Sequence, residues 1–320
     1  MLLRIFKTSQ PLSWILILLI LIVSRSVLFV LFYSNSNIQE SISISNSLTQ
    51  NLNQNLPVLS HILSFMVIIP AGFLFNKIAQ NVNLFKGIHY LLLFFFCVFT
   101  LYDPENLVLS PTILSIPILL FSLAMILTQS KGKISLPKVY NSSFLIGLAT
   151  LIYPPNILVY IILIISIFYI NTVTWRSILV SIIGLVTPFL FHDATLYIFQ
   201  WSGNPAIQTI QNSFLAYSAM NFGHPYSFLS LMGIIVLQFP TYFIATSKSI
   251  IKIRKSLFLM LYYLLMGVAL SGFSTHTVNI FIIPISVLFT VYQLEIKKWW
   301  MGDLVFLGLI TAISLNYLQL

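Results

Sequence analysis

The chain has 320 residues, of which 58% are hydrophobic and only 7% charged, and it carries a formal net charge of +9. So few charges exclude a soluble globular domain, whose surface needs many more to stay dispersed. Lys and Arg sit in short loops between apolar runs, so the positive balance marks membrane orientation and excludes a nucleic-acid partner.

The apolar runs have the length that a hydrocarbon core requires, and only helices or closed barrels satisfy their backbone there. The expected class is therefore an all-α polytopic membrane protein in contact with the bilayer. Arg4 and Lys7 precede the first run and place the N-terminus in the cytoplasm. That run, 12–33, is too long for a signal-peptide core and lacks a small-residue cleavage site, so it is expected to remain as the first span.

A Ser/Asn-rich outer loop, 34–56, follows. Its apolar residues Ile38 and Ile42, then Leu48, Leu52 and Leu56, recur every four positions. This spacing suits a helix lying flat on the membrane, and a solvated linker is the alternative.

Further spans are expected at 57–76, 88–102 and 107–128. Asp103 and Glu105, in the turn between the last two, are expected to cap the fourth span at the outer face. Pro154 and Pro155 cannot continue a helix, so a tight hairpin is expected between short spans at 142–153 and 157–171.

The seventh span runs from the Trp175-Arg176 anchor through 177–191 to His192 and Asp193. It leads into a second long outer loop, 200–225. There Asn204 and Pro205 suit a helix start, and an amphipathic interfacial helix is expected. Spans at 226–246, 257–272, 278–292 and 304–317 complete the chain.

The result is about 11 transmembrane helices, N-terminus in and C-terminus out, forming a single transmembrane domain. Residues 1–200 make a seven-span module, and 201–320 supply an outer loop and four more spans. Fourteen of the fifteen Lys and Arg then fall on the cytoplasmic side, the exception being Arg25. The lone cysteine, Cys97, lies in an apolar run and is expected to be a packing residue.

Arg25 is the first candidate site residue. A guanidinium inside a span costs several kcal/mol, roughly, unless it pairs or reaches water. Its natural partner is Asp193, giving a structural ion pair. The functional alternative is a cation aimed at a phosphate or carboxylate, and snorkelling to the interface is a third.

His192 and Asp193 are the second candidates. Neighbours on a helix point about 100° apart, so one faces a ligand while the other supports it. Glu40, the lone acid of the first outer loop, suits a general base or, with a partner, a ligand for a divalent cation. A solvated loop glutamate is the plain alternative. Trp201 and Tyr217, with His224 and His276, offer aromatic faces and imidazoles at the outer side, suited to a sugar or lipid head group or to an ordinary aromatic belt. No metal-site motif and no Gly-rich phosphate loop is present in the sequence.

Residues 144–191 carry a GLA-x-L-x-YPP hairpin, an apolar span, a WR pair and GLxxPxxF. With the opening FKTSQPLSWILILL, this pattern resembles a family of Bacteroidota inner-membrane proteins to which no activity is attached. The long outer loops after spans one and seven also resemble those of GT-C-type glycosyltransferases, which use polyprenyl-phosphate sugars. That resemblance implies a lipid-linked sugar substrate handled at the periplasmic face, with catalytic Glu40 and Asp193. It also implies substrate binding by Arg25, His192, Trp201, Tyr217, His224 and His276.

The family tends to place an Asp close to the end of span one, whereas residues 33–37 contain no acid. A non-catalytic membrane subunit of a cell-envelope assembly, binding other membrane proteins, is the alternative. A transporter or flippase is the second alternative, disfavoured by nearly uncharged span centres.

Overall fold

A computed structural model describes residues 6, 11–32, 46–85, 87, 89–128, 135–170, 174–200, 205–208, 210–211, 225–271, 278–296 and 298–318. Among these the protein is all-helical. The helices are α1 (Pro11–Phe32), α2 (Asn46–Asn55), α3 (Pro57–Asn81), α4 (Leu91–Thr100), α5 (Pro111–Leu127), α6 (Leu136–Ile152), α7 (Val159–Ile170), α8 (Trp175–Ile198), α9 (Pro225–Lys248), α10 (Ile251–Ser271), α11 (Val278–Glu295) and α12 (Trp299–Leu318). One-turn 3-10 helices occupy Pro104–Leu107 and Pro154–Leu158.

Each apolar run read from the sequence coincides with a helix. Five helical segments are long and apolar enough to cross a membrane: Ser13–Leu31, Pro57–Asn81, Trp175–Ile198, Leu229–Lys248 and Trp300–Tyr317. Leu19, Val23, Val27 and Val30 of α1, and Ile183, Leu190 and Ile198 of α8, are exposed. Apolar side chains bared along a whole helix suit contact with lipid and not with water.

The chain divides into two compact units. The first comprises 1–39, 61–108 and 221–320. At its core lies α4, a ten-residue helix every residue of which is buried. Phe residues ring it: Phe94 stacks on Phe6 at 4.6 Å, and Phe289 of α11 meets Phe95 at 5.5 Å and Phe99 at 4.9 Å. Cys97 is one of its buried residues.

At 1.5 Å per residue, α4 is far shorter than a bilayer core. The chain therefore does not leave the protein at Asp103, as the hydropathy profile suggests. Residues 101–110 are irregular or 3-10, and all but Pro104 are buried. The capping expectation is corrected in the same place. Asp103 accepts the Glu105 amide at 3.0 Å and caps the one-turn helix Pro104–Leu107, while Ser110 caps α5.

The second unit comprises 40–60 and 109–220. In α2, Thr49 and Asn53 are buried and Leu56 is exposed. Asn53 donates to the Leu109 carbonyl at 3.4 Å, and Ser60 donates to the Asn53 carboxamide oxygen. The face of α2 turned to protein is thus the polar one. Residues 206–208 and 210–211 are helical, as expected of the second long loop, and Asn204 lies outside the described residues.

The centre of this unit is the seam of α6 against α5 and α8. Gly147 of α6 lies under α8, where an added Cβ would stand 2.7 Å from the Leu185 carbonyl and 2.9 Å from Pro188 Cγ. Gly184 of α8 reciprocates, and a Cβ there would overlap Ser143 Oγ and come within 2.8 Å of the Tyr140 carbonyl. Small residues let two backbones approach this closely, which is how helices associate where lipid removes the hydrophobic drive.

Hydroxyls bind the seam further, with Ser122 Oγ donating to the Ser142 carbonyl at 3.0 Å and Tyr160 bonded to Ser181 at 3.0 Å. The proline hairpin closes it: α6 ends at Ile152, and buried Asn156 donates to the Ala149 carbonyl at 3.1 Å. α6 begins at Leu136, earlier than the apolar run indicates, because Lys138 and Asn141 lower the hydropathy of its first turns without breaking its helix.

Overpacking at such contacts costs about 1–3 kcal/mol. Gly147→Leu and Gly184→Leu should therefore each lower the unfolding temperature in detergent. Gly233→Ala, where an added Cβ meets nothing within 4 Å, should leave it unchanged or slightly higher.

Candidate functional site

The irregular segment after α4 presents backbone carbonyls inside the first unit, where no water competes for them. Unpaired carbonyls in such surroundings are costly. Side chains from three helices meet them. Tyr317 of α12 donates to the Leu101 carbonyl at 3.0 Å, and Asn316 donates to that of Tyr102 at 2.7 Å. From α3, Ser64 donates to the Asn106 carbonyl at 3.0 Å, and His61 Nδ1 lies 2.6 Å from the Leu107 carbonyl. From α1, Arg25 Nη2 donates to the Asn106 carbonyl and to Ser64 Oγ at 2.7 Å.

Arg25 is fully buried. Its guanidinium carbon lies 5.0 Å from the centre of the Phe65 ring, a cation–π contact. Cys97 and Tyr317 are within electrostatic reach. Among the described residues its Nε and Nη1 groups have no hydrogen-bond partner. Among the described residues no carboxylate pairs with it: the ion pairs there are His192–Asp193 and Lys248–Glu295. A guanidinium carries five N–H donors and cannot shed its proton in a protein. The site therefore holds a permanent cation, two of whose buried N–H groups meet no acceptor among the described residues.

Sequence reasoning found Arg25 but missed His61, Ser64 and the Asn106 carbonyl. The available signal was Ser60, His61 and Ser64 in an otherwise apolar helix. Ser60 and Ser64 lie four positions apart, on one face, with His61 beside them.

In the second unit, His192 Nδ1 and Asp193 Oδ1 lie 3.1 Å apart. The same carboxylate oxygen accepts the Ala206 amide at 2.9 Å. Asp193 thus ties the end of α8 to the turn that opens the next helical stretch, and His192 supports it. The carboxylate is 40% exposed and the imidazole 16% exposed, so the pair lies near the surface of its unit. Glu40, Trp201, Tyr217, His224 and His276 lie outside the described residues. Among the described residues no group of three or more His, Cys, Asp or Glu is placed to hold a metal.

The helices, their bare apolar faces and the buried polar turn define a helical membrane protein. The chain belongs to the Family of unknown function (DUF6427), whose model matches residues 38–319. Of the site, His61, Ser64 and Asn106 fall inside the matched stretch and Arg25 just before it. No curated protein and no solved structure matches the chain.

Structural need and binding capacity separate by substitution. With Arg25 replaced by Met, Ser64 still donates to Asn106, and an uncompensated buried cation is gone. Arg25→Met should therefore unfold in delipidated detergent at or above the wild-type temperature. Asn316→Leu leaves the Tyr102 carbonyl unpaired and should cost about 1–3 kcal/mol. A sharp loss of stability in Arg25→Met would assign the guanidinium to the fold alone.

Proposed function

We propose that the protein binds the phosphate of a lipid, in the form of a polyprenyl-linked sugar or glycan, at the periplasmic face of a bacterial inner membrane. The observation that carries this reading is the buried Arg25, whose Nε and Nη1 donors face no acceptor and whose charge meets no carboxylate among the described residues. Inside a bilayer, the anions able to reach such a cation are chiefly lipid head groups.

The accompanying topology is about 11 membrane helices, the short buried α4 among them, N-terminus in and C-terminus out, in a GT-C-like layout. It rests on the one-sided distribution of Lys and Arg and on the two long loops that follow α1 and α8. In this reading Arg25 holds the lipid phosphate and Glu40 acts as base or as ligand to a divalent cation. Asp193 and His192 orient the acceptor, and Trp201, Tyr217, His224 and His276 meet the sugar.

A second reading is a non-enzymatic membrane subunit of an envelope assembly. The bond from Asp193 to the Ala206 amide favours it, since that carboxylate already serves as a structural clip.

The two readings divide on activity. In membranes supplied with a polyprenyl-phosphate sugar, the enzyme reading expects transfer to fall at least about 100-fold in Glu40→Gln, the loss typical of a missing general base. Binding of the donor should persist in that variant and disappear in Arg25→Met. Donor binding without any transfer removes the enzyme and keeps the lipid-phosphate site, and a wild-type protein that binds no donor refutes the lipid-phosphate reading and favours the subunit. An alkaline phosphatase fused after Leu320 should be active, and a silent fusion would reverse the topology.

A further inference from the structure

We infer that His61 is a second ligand-facing group of the Arg25 site, and that the bound head group is hydroxylated: its phosphate lies on the guanidinium while one of its hydroxyls donates to His61 Nε2. This rests on the reading that Arg25 binds a lipid phosphate and assigns the residue that reads its sugar.

The two nitrogens of the imidazole have different surroundings. His61 Nδ1 lies 2.6 Å from the Leu107 carbonyl. A carbonyl only accepts, so Nδ1 carries the proton. A second cation in the same buried site, beside a guanidinium, is opposed by both repulsion and desolvation. The ring is therefore neutral, and Nε2 is an acceptor. That atom is buried and has no partner among the described residues, in keeping with the 7% exposure of His61.

The two side chains serve neighbouring carbonyls. Arg25 and His61 bond to the carbonyls of consecutive residues, Asn106 and Leu107. Both also pack on Phe65, with the guanidinium carbon 5.0 Å from the ring centre and the imidazole centre 4.9 Å from it. Phe29 stacks on the imidazole at 4.3 Å and fixes its plane.

A site for a bare oxyanion needs donors only. This one sets a neutral acceptor beside a charged donor, and an acceptor aimed at an anion's oxygen would repel it. The complementary ligand carries a negative phosphate and, a few bonds away, an O–H. A glycosyl phosphodiester meets both demands, whereas a simple alkyl phosphodiester meets only the first.

The test compares two probes of equal charge, a short-chain prenyl phosphate esterified to a hexose and the same prenyl phosphate as its methyl ester. Each is titrated into the full-length protein in phosphatidylcholine nanodiscs. Wild type should prefer the hexose ester by about tenfold or more, the effect of one hydrogen bond to an otherwise unpaired buried acceptor. His61→Phe should lose that preference, with the two probes bound at equal affinity. A preference that survives His61→Phe overturns the inference and leaves the phosphate reading standing. Failure of both probes to bind wild type, or undiminished binding in Arg25→Met, overturns the phosphate reading itself.

Should His61→Phe fail to fold, the nitrogen-15 shift of His61 Nε2 in the wild-type protein decides. It should move with the hexose ester and not with the methyl ester. A shift unmoved by both, or moved equally, assigns Nε2 to bound water and refutes the proposal.

Discussion

A backbone carbonyl inside an apolar protein must find a donor, and the segment after α4 has several to satisfy. The helix is wholly buried and stops after ten residues, so its last carbonyls and those of the following 3-10 turn open into the interior of the unit and not into water. The four side chains of Arg25, Ser64, Asn316 and Tyr317, with His61, converge on this one turn for that reason. The arrangement ties α1, α3 and α12 to the end of α4. It also brings a cation, an imidazole and two aromatic rings to the same few ångströms.

The turn's demand for donors does not account for all of Arg25. Asn106 already receives a hydrogen bond from Ser64, and a Gln or Lys would supply another at smaller cost. A guanidinium adds charge and further N–H groups that the protein leaves open. A fully buried cation is among the most expensive groups a membrane helix can carry. Its surplus donors are the part of the site without a structural explanation, and it is on them that the proposed lipid phosphate would lie.

The helices were legible in the sequence because hydropathy reports them directly, and α1, α3, α8, α9 and α12 follow their apolar runs within a few residues. Three things were hidden, each for a physical reason. Burial of 101–110 was masked by Asp103, Pro104 and Glu105, which read as a solvent-facing turn because nothing local shows that the chain stays inside. The partners of Arg25 lie 39 and 81 residues away, and they are a hydroxyl and a carbonyl. Neither leaves a charge pattern to follow, whereas the conspicuous carboxylate, Asp193, makes its hydrogen bonds within its own unit. The Gly147 and Gly184 motifs, finally, were visible as a pattern but not as a cause until the α6–α8 seam showed what each glycine admits.

That last point bears on where chemistry should be sought in this family. The most recognisable stretch of the chain, GLATLIYPP through GLVTPFLF, is accounted for by packing: two glycines admit backbone and Pro188, and a buried proline turn closes the hairpin. A pattern conspicuous for that reason says little about ligands. The polar residues set singly into apolar helices carry more information, because each is costly where it stands. His61 and Ser64 in α3 and Arg25 in α1 are such residues, and they meet at one turn. Arginine at that centre has a further consequence. A lysine so buried would tend to give up its proton, whereas a guanidinium keeps its charge in any surroundings a protein provides. The site is therefore cationic whether filled or empty, and its attraction for an anion does not depend on first acquiring a proton.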